Sequence, residues 1–265
     1  MRAIYGIVVR ELLRFLRQRG RLLSSLARPF VWLLFAGAGF AAVFAGQREI
    51  DYRVYMAPGL LGMVVMFGSL LAGLSTVTDR DAGVLRMVLV APIRRGTIAV
   101  GKTLGAALLG TIQALAVAAI LLPLVRLVPT PRGALLGLVA IALLSLAIGA
   151  LGVVLAAAMR SIENFAGVMN FVVFPMLFLS GALYPMRHLA VGLRTVAYAN
   201  PLAYGVDLLK HALLASGSDI GYGGELSIGL DCAALMLFAA AGLAAAAPLL
   251  AREGGVTRAA FRERG

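Results

Sequence analysis

The chain has 265 residues, 61% hydrophobic and 14% charged, with 24 Lys and Arg against 12 Asp and Glu. Soluble domains carry about 25% charged residues, so a chain this apolar, with a mean hydropathy of +0.95, cannot cover its surface with polar groups and meets mostly lipid. A single cysteine, Cys232, excludes a disulfide framework and a cysteine zinc cluster; the basic residues flank apolar runs instead of forming a tract, which points to membrane topology and away from nucleic acid.

The first segment, 1–26, is amphipathic. Ile4, Val8, Leu12 and Phe15 fall on one helical face, and Arg10, Arg14, Arg17 and Arg21 on another. Such a helix lies in the interface with its apolar face in lipid and its arginines on anionic headgroups. It can also act as a connector that touches a cytoplasmic partner. Pro29 marks the turn out of it. A bilayer crossing needs roughly 20 apolar residues, and six runs meet that length: 27–46, 54–77, 103–125, 133–159, 164–183 and 228–251. The expected fold is an all-α polytopic membrane protein, one domain with six transmembrane helices. With the N-terminus inside, 17 of the 24 Lys and Arg fall on the cytoplasmic side and 7 outside, so both termini are expected in the cytoplasm.

Between the second and third runs lies a charged island, 78–102. Its end, Gly96 through Gly101, Lys102 and Thr103, matches the GxxxxGKT phosphate-loop pattern. A working loop needs a buried strand before it, a soluble helix after it and an acidic magnesium partner. Here Thr97–Val100 is apolar and Thr103 opens a membrane run. The match is therefore read as coincidence, with Lys102 snorkelling to the headgroups.

Small residues recur at spacing four: Gly101 and Gly105, Gly133 and Gly137, Ser145 and Gly149, Gly152 and Ala156. Such pairs let membrane helices approach closely. His188 and His211 stand alone and read as ordinary interfacial histidines. Polar residues near the spans are few: Gln113, Ser145, Glu163, Asn164, Asn170 and Asp231. Glu163 sits in a short inner turn and Asp231 at the outer interface. A path lined by apolar and small residues suits an amphiphilic substrate better than an ion or a sugar.

Four stretches taken in order carry a resemblance: PGL at 58–60, RDAGVLRMVLVAPIRRGTIAVGK at 80–102, SGALYP at 180–185 and ANPLAYGVDLLKHALL at 199–214. Over essentially its whole length the chain resembles the ABC-2 class of ABC-transporter permeases. Within that class it is similar to the branch of drug-resistance and lipo-oligosaccharide (nodulation-type) exporters. The resemblance implies a permease subunit in the bacterial cytoplasmic (inner) membrane. Two copies, as homodimer or heterodimer, would stand among membrane lipids above two ABC ATPase subunits. ATP and magnesium would belong to the ATPase, leaving this chain with no cofactor, no metal and no catalytic residue.

The resemblance also implies a cytoplasmic coupling helix at about 81–90 that docks on the ATPase. Asp79, Arg80 and Asp81 would stand at its start, where negative charge suits a helix N-terminus. Val84, Met87 and Val88 would form an apolar ridge, Arg86 would face the partner and Pro92 would end the helix. Segment 184–227 would hold two short re-entrant outer helices with Asn200-Pro201 as the turn between them. Backbone of that kind is tolerated at membrane depth only inside protein or along a wet cavity. The implied outer gate comprises Tyr184, Pro185, Asn200, Pro201, Tyr204 and Asp207, with Lys210 one turn beyond Asp207. Span 228–251 and a cytoplasmic tail, 252–265, complete the domain. Two rival classes are a secondary carrier independent of ATP and a membrane-embedded lipid-modifying enzyme. The first would show internal repeats with broken helices and the second paired catalytic groups at membrane depth; neither pattern is evident in the sequence.

Overall fold

A computed structural model describes residues 2–17, 52–83, 95–159, 161–214 and 223–262, with a few positions between 20 and 35. Among the described residues there are eight α-helices and one 3-10 turn, Met186–His188, and no strand. In chain order the helices are α1 (Arg2–Arg17), α2 (Tyr52–Asp81), α3 (Arg95–Leu124), α4 (Pro131–Ala158), α5 (Ile162–Phe178), α6 (Val191–Ala197), α7 (Pro201–Leu214) and α8 (Ile228–Arg262).

Among the described residues, four helices are long and apolar enough to cross a membrane: α2, α4, Gly96–Leu124 of α3 and Ile228–Leu250 of α8. At 23 to 30 residues, they reach roughly 35–45 Å at 1.5 Å per residue, more than a hydrocarbon core of about 30 Å. The chain is thus a multi-pass membrane protein. The 17 residues of α5 are apolar but shorter. The run expected at 27–46 lies outside the described residues except for isolated positions.

Helix α2 is the axis of the bundle. It is apolar around nearly its whole circumference and buried along most of its length, as such a helix must be. Helices α3, α4, α5 and α7 pack on it. Small residues set the spacing. A Cβ on Gly73 of α2 would stand 2.5 Å from the carbonyl oxygen of Gly152 on α4, so the two backbones touch there and only glycine fits. Gly101 and Gly105 seat α1 through Ile7 and Glu11, Gly133 and Gly137 meet Ala212 of α7, and Gly149 abuts Ala106 of α3. The recurrent small residues therefore pack helices within the chain.

Local chemistry explains the boundaries. Thr130 caps α4 by accepting from the Gly133 N–H at 3.1 Å, and Pro131 follows at the first helical position. Ser161 caps α5 in the same way through Asn164. The run expected at 164–183 stops at Phe178, because Ser180 and Gly181 turn the chain there. Gly181 has φ +75°, which glycine adopts without strain. Helix α3 begins at Arg95, before the expected 103, and α2 runs on to Asp81, past 77. In both places the helix continues through charged residues, several of which are neutralised by partners elsewhere in the fold.

Candidate functional site

Charged side chains gather at one end of the bundle, where α2 ends and α3 begins. Lys102 of α3 is 4% exposed. Its Nζ donates to Glu11 Oε1 at 2.7 Å, to Ser75 Oγ at 3.2 Å and to the Asp79 carboxylate. Arg10 also pairs with Asp79, and Arg14 Nη1 reaches Asp79 Oδ1 at 2.9 Å. Asp79 lies in the last turn of α2, where the helix dipole disfavours a carboxylate. Three cations from α1 and α3 compensate it. Arg80 turns the opposite way and donates to the carbonyls of Met159, Ala156 and Ala157, which close the C-terminal turn of α4 and have no partner further along the helix. Ion pairs this deep gain little net stability, but they fix geometry, because a group left alone there is costly. Together they tie α1, α2, α3 and α4 at one level. A cavity of about 150 Å³ lies alongside, lined by Glu11, Arg14, Phe15, Gly68, Ser75 and Gln113 among others.

Several expectations are corrected here. Asp79, Arg80 and Asp81 lie in the last turn of α2 instead of opening a separate helix. Asp79 and Arg80 are committed to contacts inside the chain, whereas Asp81 is exposed. Lys102 does not snorkel to headgroups; it is the centre of a buried ion cluster. Gly96 through Thr103 lie in one continuous helix, so the backbone forms no loop around a phosphate. Arg10 and Arg14, expected on headgroups, turn to Asp79. The side of α1 that faces outward carries Tyr5, Leu13 and Leu16. Heptad-like periodicity shows that a helix is amphipathic, but this helix has one apolar side on protein and another facing away from it. Arg17 is exposed. Arg21, Val84, Arg86, Met87, Val88 and Pro92 lie outside the described residues.

The opposite end holds a second polar layer. The Asn200 side chain accepts from the Leu202 N–H at 2.9 Å, capping α7, and donates to the Met176 carbonyl at 2.7 Å, which ties α7 to α5. Pro201 is buried behind it. Tyr204 Oη donates to the Tyr198 carbonyl at 2.8 Å. Pro185 is buried at the start of the 3-10 turn, and Tyr184 is half-buried beside it. Tyr52 and Tyr55 of α2 hold the same turn by donating to the carbonyls of Leu183 and Gly181. Asp207 is 1% exposed and accepts from the backbone N–H groups of Glu225 and Leu226 at 2.7 and 2.8 Å. Lys210, also buried, donates to Tyr55 Oη at 3.1 Å and lies over its ring. Burial pushes the Lys210 ammonium below its usual pKa, opposed by the carboxylates of Glu225 and Asp207. The structure thus brings all six residues expected at the outer gate into one region at the α5–α7 end. Glu225, whose carboxylate accepts from the N–H groups of Met186 and Arg187, belongs with them and was not singled out from sequence.

Three structural features are not evident in the sequence: Glu11 as an ion-pair partner, Lys102 as an ion-pair centre, and the proximity of Asp231 to Asp207. For Glu11 a signal existed, since it is a single acid on a helix otherwise basic on its polar side.

Comparison with known proteins gives a consistent result. The sequence profile of the ABC-2 type transporter family matches residues 2–214. Nodulation protein J of Rhizobium leguminosarum bv. viciae is 31% identical over 196 residues, which is 73% of this chain and 74% of that protein. The putative transport permease ycf38 of Cyanophora paradoxa is 26% identical over 78% of this chain and 72% of its own length. The probable multidrug ABC transporter permease YbhR of Escherichia coli K12 is 26% identical over 64% of this chain, a match that spans 46% of that protein.

Proposed function

The chain belongs to the ABC-2 type transporter family, and on that premise we propose that it is the permease subunit of an ABC exporter. It would work as a pair of six-span copies, homodimeric or heterodimeric, in a bacterial inner membrane with both termini cytoplasmic. The family match over 2–214 carries this reading. ATP and magnesium would be handled by two copies of a separate ATPase, with no nucleotide bound by this chain. The substrate would be amphiphilic, lipid-linked or drug-like, and the name of one relative, a probable multidrug permease, agrees with the last of these.

The ATPase would dock on the connection between α2 and α3, residues 82–94. The geometry supports this placement. The two helices that the connection joins are tied by the buried cluster: Asp79 in the last turn of α2 bonds to Lys102 of α3, and Glu11, Arg10 and Arg14 join α1 to them. A push on the connection would therefore reach all three helices together. Asp81, Val84, Arg86, Met87, Val88 and Pro92 would form the contact surface, while Asp79 and Arg80 transmit force inward. At the other end, the turn at Tyr184 and Pro185 and helices α6 and α7 would form the outer gate, with Asn200, Pro201, Tyr204 and Asp207 holding it together. Phe171, Phe174 and Phe178 form an exposed ridge on α5, apolar surface that lipid or the second copy must cover.

Capture of the tagged chain from mild detergent tests the docking. The wild type should bring down an ABC ATPase, and Val84→Asp and Arg86→Glu should each lose most of it at unchanged chain yield. Equal recovery of the ATPase by wild type and both variants would remove 82–94 as the docking surface.

A further inference from the structure

The geometry points to a divalent-cation site of the zinc class, formed by Asp207, His211 and Asp231, at the end of the bundle that holds the outer segment. Asp207 and His211 stand four residues apart on one face of α7. Asp231 comes from the first turn of α8. One ligand atom from each lies within 4.8 Å of the others, and His211 Nε2 is 3.8 Å from Asp207 Oδ2. Zinc–ligand bonds of about 2.0–2.2 Å set tetrahedral edges of roughly 3.3–3.6 Å, so small side-chain movements would close the site.

Electrostatics gives the independent argument. Asp231 is fully buried, and neither of its carboxylate oxygens meets a hydrogen-bond donor. Its neighbour is the buried carboxylate of Asp207. Two carboxylates this close in apolar surroundings need a positive charge or a shared proton between them. The neighbouring cation, Lys210, donates to Tyr55 Oη. His211 is the ring that approaches the pair, with Nε2 3.8 Å from Asp207 Oδ2.

The donor set selects the cation class. One imidazole nitrogen and two carboxylate oxygens suit zinc, whereas an all-oxygen set would suit calcium or magnesium. The surroundings hold the donors in place. Backbone N–H groups of Glu225 and Leu226 fix the Asp207 carboxylate, an arrangement that orients a ligating group. Gly224 lies against the imidazole, and a Cβ there would run into the ring. His211 Nε2 stands 2.7 Å from the Leu226 carbonyl. If Nε2 is the ligating atom, the neutral imidazole carries its proton on Nδ1 instead, any proton shared by the two carboxylates is released on loading, and the Leu226 carbonyl is freed to turn toward the metal. A bound cation would clamp α7, α8 and the connection between them. This site concerns the chain alone and stands whether or not the transport reading does.

The test uses the full chain in detergent micelles, carrying an affinity tag without histidine and equilibrated with zinc chloride. After passage over chelating resin, wild type should retain about one zinc per chain. Asp231→Asn and His211→Ala should bind about tenfold more weakly or worse, and His188→Ala should match wild type. Zinc should raise the melting temperature of wild type and leave that of Asp231→Asn unchanged. Asp231→Asn is nearly isosteric and relieves a buried charge, so it should fold. Zinc retention by wild type no greater than that by Asp231→Asn would overturn the proposal and leave the acid pair sharing a proton. Equal retention by all variants would overturn it as well, by placing the metal elsewhere.

Discussion

Lys102→Met should destabilise the chain by about 3–5 kcal/mol, the usual cost of removing one partner from a buried ion pair. Lys102 Nζ contacts Glu11, Ser75 and Asp79, and the two carboxylates are 4% and 6% exposed. Arg10 and Arg14 still answer Asp79 in the variant, whereas Glu11 keeps the longer 3.4 Å contact with Arg10, so the loss falls mainly on Glu11. Adding Glu11→Gln should therefore restore about half of the lost stability. Thermal melting in detergent, read as a double-mutant cycle, measures both effects. A nucleotide-binding lysine would behave differently: its loss would abolish ATP binding, and neutralising Glu11 would not restore it. Additive losses in the double variant would show that the two residues do not depend on each other.

Asp207→Ala should cost about 3 kcal/mol, because two backbone N–H groups lose a buried, charged acceptor. The amides of Glu225 and Leu226 donate to the two Asp207 oxygens. Their hydrogen exchange should accelerate by about 100-fold at that energy, while amides in the middle of α2 stay protected. Asp207→Asn keeps one acceptor and should fall between. Asp207 also faces Asp231, so relief of that repulsion offsets part of the loss, and the cost should be larger in an Asp231→Asn background. Unchanged exchange at 225 and 226 would show that the connection before α8 is held by something other than Asp207.

The long apolar helices were legible from hydropathy because lipid solvent forces long apolar runs. Their ends were not. Hydropathy stops at the first charges, yet α2 continues through Asp79 and Arg80 and α3 begins before Lys102, because Asp79 and Lys102 find partners far away in sequence. Glu11 and Lys102 are 91 residues apart, and no local pattern announces such a pair. The GxxxxGKT match shows the converse: its spacing reads as a phosphate loop, yet Gly96 through Thr103 lie in one continuous helix. The outer residues were recognised as a group through resemblance, but Asp231 was placed at the interface because an aspartate at the start of an apolar run ordinarily faces water. Its burial depends on how α8 packs beside α7, which a single sequence does not reveal.

The central question is whether this chain is moved by another subunit's ATP hydrolysis, and ATP turnover measured on purified material answers it most directly. The chain alone, in detergent or in lipid, should neither bind nor hydrolyse ATP above background. Purified together with its ABC ATPase it should form an assembly that hydrolyses ATP, and Arg86→Glu should strip both the ATPase and the activity. ATP hydrolysis by the isolated chain, lost in Lys102→Met and not restored by adding Glu11→Gln, would contradict the account.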